Sequence, residues 1–278
     1  MRSIPPMLRA DHFARNALAS TAASLRIGVA QALAAWPVLM GRVIFYLLIL
    51  IVLSALWDKV ADEQVAPLAK NLPPGGLPVY ICVTEWVLMS VVAIDQRLED
   101  DIRRGALEPY LLRPKPYLLQ RVAPAMGEML VRLATLGTAG LLVMAISGQP
   151  MPAPFAWPAV LLLGIFGCIT GLLLYVLVGL LAFWLRRVMP AMLIVQKLSF
   201  LLGGLLAPIS LYPDWLFGFA AATPFGAHLY WAGAQVLAPS ARLFLIGLAW
   251  KILWIAILAA LCALVWRIGL RKLLREGV

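Results

Sequence analysis

The sequence predicts an all-α integral membrane protein with six transmembrane helices, an amphipathic N-terminal interfacial helix and both termini in the cytoplasm. Three observations carry that prediction. The 278 residues are 63% hydrophobic and 13% charged, whereas soluble domains average about 45–50% apolar and about 25% charged residues. The apolar residues collect into runs close to the roughly 20 residues that a helix needs to cross a bilayer. The basic residues then fall overwhelmingly on one side of those runs.

Taking the elements in order, residues 1–35 form an N-terminal arm. Its arginines are scattered, and it lacks the compact apolar core and small-residue cleavage site of a signal peptide. Within it LRADHFARNALASTAASLRIGVAQALAA is Ala-rich, with apolar and basic residues on different sides. That pattern fits a helix lying along a leaflet; the alternative is a loosely ordered helical arm. The six predicted spans are residues 36–57, 79–94, 129–147, 158–184, 192–211 and 243–266. The second is the weakest, being short and carrying Glu85. Pro73, Pro74, Gly75 and Gly76 mark a turn between the first two spans. Pro208, Pro213 and Pro224 interrupt the aromatic-rich stretch after the fifth and predict one or two short helices at the external interface.

The 23 Lys and Arg outnumber the 13 Asp and Glu. Of these bases, 16 lie in the arm, the second and fourth connections and the tail, and three lie in the opposite loops. Basic loops stay in the cytoplasm, which orients the chain. The excess therefore reads as a collar for anionic lipid rather than a nucleic-acid face, since no basic stretch is interleaved with exposed aromatics as strand binding requires. Cys82, Cys168 and Cys262 are far apart and embedded in apolar runs, and His12 and His228 are the two histidines. This usage predicts packed thiols, with no metal site and no disulfide framework.

The connection between the second and third spans is the most distinctive stretch: DQRLEDDIRRGALEPYLLRPKPYLLQR, residues 95–121. Glu99 with Arg103 and Asp100 with Arg104 are spaced i,i+4 in the order that favours a helix. Gly105 then acts as a stop, and Pro109, Pro114 and Pro116 stiffen the residues beyond it. The segment reads either as a solvated charged loop or as a docking element for a cytoplasmic partner. The run Asp101, Ile102, Arg103, Gly105, Leu107, Leu111, Leu112, Arg113 and Pro114 resembles the corresponding stretch of ABC-2 type transporter permeases. The arm, the span count, the Pro208–Pro224 segment and a tail with Trp266, Gly269, Leu270 and Arg271 extend the resemblance along the chain.

The resemblance implies a permease of the bacterial cytoplasmic membrane, paired with a second permease as a homo- or heterodimer. A separate nucleotide-binding ATPase would supply the energy and carry the ATP and Mg, leaving no cofactor in this chain. Residues 95–127 would be the coupling segment, with Glu99, Asp100, Asp101, Ile102, Arg103, Arg104, Gly105 and Leu107 at the ATPase. Its cargo would be a hydrophobic or amphipathic small molecule: drug-like, lipid or glycolipid. Consistently, no G-x-x-x-x-G-K-[ST] phosphate cradle occurs in the chain.

Charges inside the spans complete the reading. Arg42, Arg132 and Lys197 lie near cytoplasmic ends, where long side chains snorkel to the interface. Glu85 and Lys251 lie deeper, about 9 and about 12 Å below the external face at 1.5 Å per residue. They are expected to approach each other, within the chain or across a permease interface, because an unpaired charge there costs about 2.5–3.5 kcal/mol. The alternative is that each snorkels or lines a wet cavity. Trp250 and Trp254 flank Lys251 and offer either aromatic faces for a substrate or simple packing. Gly167 and Gly171 form a GxxxG suited to close helix approach. A secondary transporter would carry an inverted repeat with paired broken helices, and an intramembrane enzyme would need an HExxH, paired Asp or a Ser/His couple; neither pattern is found.

Overall fold

Long apolar runs must satisfy their own backbone hydrogen bonds, and the helix is the conformation that does so within one segment. The computed structural model describes residues 6–63, 76–113, 115–148 and 154–276, with side chains over 19–56, 76–113, 115–148 and 154–275. The described residues form helices and connecting turns, with no strand among them. The turn cluster Pro73–Gly75 and the outer-loop bases Lys59 and Lys70 lie outside the described side chains, as do Arg2, Arg9 and Arg15 of the arm.

The order is α1 (Pro6–Ala34), α2 (Trp36–Glu63), α3 (Gly76–Ser90), α4 (Asp95–Arg103), α5 (Glu108–Leu111) and α6 (Tyr117–Ile146). It continues with α7 (Trp157–Leu180), α8 (Met189–Leu202), α9 (Asp214–Ala222), α10 (Pro224–His228), α11 (Tyr230–Leu237) and α12 (Ala241–Glu276). Helix α1 crosses α6 at backbone contact. A Cβ on Gly28 would fall 1.9 Å from the Pro124 carbonyl oxygen, and one on Gly127 would fall 2.1 Å from that of Leu25. Lys115 ties the same junction by donating to the Ser20 carbonyl at 3.2 Å and the Ser24 hydroxyl at 2.9 Å.

Two sequence expectations change here. Helix α6 begins at Tyr117 rather than near Met129, so the latter part of the segment predicted as a cytoplasmic connection is helix. The local reason is Pro116, whose extended backbone closes the preceding turn and starts the helix at once. Secondly, five stretches among the described residues, where six spans were expected, are long and apolar enough to cross a membrane: Trp36–Leu56, Gly76–Arg103, Tyr117–Ile146, Pro154–Phe183 and Ala241–Arg275. The fifth predicted span is α8, of 14 residues. At 1.5 Å per residue that is about 21 Å, short of the roughly 30 Å hydrocarbon core.

Helix α8 stops because Gly204 turns the chain with φ +70°, a conformation open to glycine. The Tyr80 hydroxyl of α3 holds that turn by donating to the Gly204 carbonyl at 2.6 Å. Beyond the turn, prolines divide the chain into α9, α10 and α11. Helix α9 is exposed, with Trp215 at 75% and Phe219 at 60%, as expected of an interfacial helix. Helices α10 and α11 are not interfacial: residues 226–236 are buried without exception. They enter the bundle because α7 leaves room, since a Cβ on Gly167 would meet the His228 carbonyl oxygen at 2.4 Å and one on Gly171 the His228 ring at 2.5 Å.

Helices α7 and α12 run toward the same end of the bundle. Phe183 just beyond α7 packs on Trp266 and Gly269 near the end of α12, while Gly167 lies beside Lys251 earlier in both. The chain therefore returns along the bundle between residues 184 and 240, through α8 and the broken segment. The core of this arrangement includes Tyr46, Tyr80, Ile81, Leu98, Leu136, Leu163 and Leu172, all at 1% exposure or less. The outer faces of α2 and α12 remain apolar, as a lipid solvent requires.

Candidate functional site

The end of the bundle where α4 and α5 sit is built around one carboxylate. Helix α4 lies against the end of α7, where fully buried Leu98 and the Asp95 backbone meet Gly179 at distances that exclude a side chain there. One turn further on, Asp101 is 6% exposed. It accepts the Tyr117 hydroxyl at 2.6 Å and the Arg121 Nε at 2.6 Å, and pairs with Arg121 a second time through Nη2. The two-point Arg–carboxylate geometry is the strongest form of this contact.

The network continues outward. The Arg121 guanidinium lies 4.3 Å from the centre of the Tyr110 ring on α5. Tyr117 stacks on Trp266 of α12 with ring centres 4.6 Å apart, and Phe183 packs on the same indole. Lys272 donates to the Phe183 carbonyl at 3.1 Å. Thus α4, α5, α6, the end of α7 and α12 meet at one knot of aromatic and ionic contacts. A displacement of α4 would be transmitted to both α6 and α12.

The residues singled out from sequence divide into two sets on this frame. Asp101, Ile102 and Leu107 are buried and face the bundle. Asp100, Arg103, Arg104 and Gly105 are exposed, and the helical spacing predicted for their ion pairs is present. Arg104 contacts Asp100 at 3.0 Å and Arg103 contacts Glu99 at 3.5 Å. Glu99 lies between the sets, reaching the Val188 amide at 3.4 Å. Gly105 turns the chain with φ +69° and open space beside it. Beyond it Leu111 and Leu112 are exposed at 42% and 82%. Pro114 lies outside the described residues.

Deeper in the bundle, Lys251 is fully buried and donates to the Ala227 carbonyl at 2.5 Å and the His228 carbonyl at 3.4 Å. These are the last carbonyls of α10, the negative end of that short helix. No ion pair joins Lys251 to Glu85 within the chain among the described residues. Glu85 is 4% exposed, and its Oε2 has no hydrogen-bond partner among the described residues. The lysine thus answers the backbone of a broken helix, a partner that charge counting does not include. Trp254 donates to the Ala222 carbonyl at 2.9 Å, and Trp250 is half-buried against the core. His228 sits with Nδ1 2.9 Å from the Gly167 carbonyl oxygen.

Arg132, expected to snorkel, is instead 8% exposed, bonded to the Val91 carbonyl at 2.7 Å and to Glu128. Cys82, Cys168 and Cys262 are free and buried. Among the described residues, no three His, Cys, Asp or Glu side chains are grouped to hold a metal ion. An apolar cavity of about 540 Å³ lies between α2, α3, α6 and α7, bordered by Tyr46, Trp86, Leu133, Leu141 and Trp157.

Sequence reading missed the Asp101–Arg121–Tyr117–Trp266 knot. Tyr117 and Arg121 are spaced i,i+4 on α6, but Asp101 and Trp266 stand too far from them for any helical spacing rule, and the visible signals are the W-x-x-G-L-R tail and the aromatics beside Pro116. The family profile described as ABC-2 family transporter protein matches residues 77–277, from α3 to the end of α12. No curated protein matches the chain. The profile covers the helix pair around α4, the broken segment and the tail that completes the knot, and the chain belongs to the ABC-2 family of transporter proteins as a multi-pass membrane subunit of an ABC transporter.

Proposed function

We propose that the chain is the permease of an ATP-driven exporter in a bacterial cytoplasmic membrane, working with a cytoplasmic ATPase and a second permease. The end bearing α4 faces the cytoplasm, with α8 and the broken segment together making one crossing, so that both termini lie inside. ATP and Mg are handled by the partner. A hydrophobic or amphipathic small molecule is the cargo class, which the apolar cavity between α2, α3, α6 and α7 supports.

One observation carries the reading: α4 has an anchored side and a free side. Asp101, Leu98 and Ile102 lock it to the bundle, while Asp100, Arg103, Arg104 and Gly105 stand clear. A partner pressing on the free side would move α4 as a lever, and the Asp101–Arg121 and Tyr117–Trp266 contacts would carry that motion into α6 and α12. The free ridge, rather than the buried Asp101, is therefore the docking surface. Co-expression of the tagged permease with the Walker-type ATPases of its own genome, one at a time, tests this. The double variant Asp100→Lys with Arg104→Glu is expected to lose co-purifying ATPase while retaining its yield in the membrane. Undiminished ATPase capture would remove α4 from the interface.

A further inference from the structure

A second cavity, of about 300 Å³, lies beside the start of α4 between α2, α3, α6, α7 and α8. It is at the small end of ligand sites, which run from about 300 to about 1,000 Å³. Its walls carry charge of both signs. Arg42 of α2 is half-buried and borders it, and among the described residues its one hydrogen bond is a long one of 3.4 Å to the Met89 carbonyl. A guanidinium has five N–H donors, so most of this one's capacity is uncommitted. Arg132 borders the cavity too, but Val91 and Glu128 engage it.

Opposite in sign is Asp95, 1% exposed, whose Oδ1 has no hydrogen-bond partner among the described residues. Buried polar atoms ordinarily find one, and Asp95 is part of the cavity wall. The remaining wall is apolar, with Leu88, Met89, Met192 and Phe200, joined by Gln196 and Tyr175. Anion, cation and hydrocarbon are thus each provided for, in a space that suits a small head.

From this arrangement we infer that the cavity seats the headgroup of an amine-bearing zwitterionic phospholipid, its phosphate on Arg42, its primary ammonium on Asp95 and the start of its acyl chain along Met89 and Phe200. A phosphoethanolamine head meets both requirements. A phosphocholine head has no N–H to give Asp95, and a phosphoglycerol head has no cation. The assignment to the inner leaflet rests on the orientation proposed above; the headgroup preference does not.

The test uses the full-length permease in mild detergent, incubated with equimolar phosphatidylethanolamine, phosphatidylcholine and phosphatidylglycerol of matched acyl chains and analysed by native mass spectrometry. Phosphatidylethanolamine is expected to be retained at least about tenfold more than either competitor, the ratio that one charge-assisted hydrogen bond supplies. Asp95→Asn should bring its retention down to that of phosphatidylcholine, and Arg42→Ala should lower all three. Arg242→Ala, exposed at the start of α12 and absent from the cavity wall, should retain the preference. Equal retention of the three lipids by the unaltered protein overturns the proposal without recourse to any variant, as does an undiminished preference in Asp95→Asn. Displacement of the lipid by soluble phosphoethanolamine at equal concentration would overturn a lipid as the source of the head. A permease that captures no ATPase would defeat the functional reading and leave this measurement standing.

Discussion

Asp101 and Asp100 are neighbours of identical chemistry with opposite surroundings. The Asp100 side chain is 58% exposed beside Arg104, whereas that of Asp101 is 8% exposed between Arg121 and Tyr117. Exposed ion pairs contribute about 0–1 kcal/mol, while a buried hydrogen bond to a charged group is worth about 1.5–3 kcal/mol. Asp101→Asn is therefore expected to lower the thermal unfolding midpoint of the detergent-purified protein, and Asp100→Asn to leave it nearly unchanged. Equal midpoints would mean that the knot does not hold α4. Which of the two acids is structural was not legible in the sequence. The i,i+4 rule finds Asp100–Arg104 and Glu99–Arg103, but it is blind to a partner on α6 that reaches back across Gly105 and α5. The same blindness explains Lys251: the sequence offers Glu85 as its counter-charge, and within the chain the fold offers the Ala227 and His228 carbonyls.

Several of the closest helix contacts in this protein fall at glycines. On α7, Gly167 and Gly171 receive the His228 backbone and ring, so the GxxxG seats a broken segment of the same chain. A Cβ at Gly171 would stand 2.5 Å from that ring, while one at Gly41 of α2 would meet nothing within 4 Å. Gly41→Ala is thus expected to be neutral or stabilising by up to about 1 kcal/mol, through helix propensity alone. Gly171→Leu should displace α10 and abolish the monodisperse peak in size-exclusion chromatography. An unaffected Gly171→Leu protein would mean that α10 does not enter the bundle. The helices themselves were readable from hydropathy and proline placement. The depth of α10 and α11 was not, because an aromatic, proline-broken stretch reads alike whether it lies on the interface or folds back against glycines.

Across the whole molecule, the charge asymmetry and the helix directions make one joint prediction. Ser240, just before α12, and Arg104, just after α4, lie at opposite ends of the bundle and both are exposed. The three native thiols are buried and should contribute little background. In intact cells a membrane-impermeant maleimide is expected to label Ser240→Cys, and to label Arg104→Cys after permeabilisation only. The reverse pattern would invert the orientation. The predicted crossing count depends on this scale as well. Among the described residues five continuous helices are long and apolar enough to cross, and the shared direction of α7 and α12 returns the chain along the bundle through α8 and the broken segment.

Composition, hydropathy and charge placement determined the class of molecule, the position of most helices and the location of the α4 segment, and the family entered through the resemblance of the Asp101–Pro114 run. Those features are written in local runs and spacings, and a bilayer reads them segment by segment. Tertiary structure alone decided which face of α4 is free, what Lys251 binds, where α10 and α11 lie and that Arg42 and Asp95 border one cavity. Each depends on residues far apart in the chain meeting in a medium of low dielectric. There an unmatched charge or carbonyl is expensive, and the partner is set by how the helices pack.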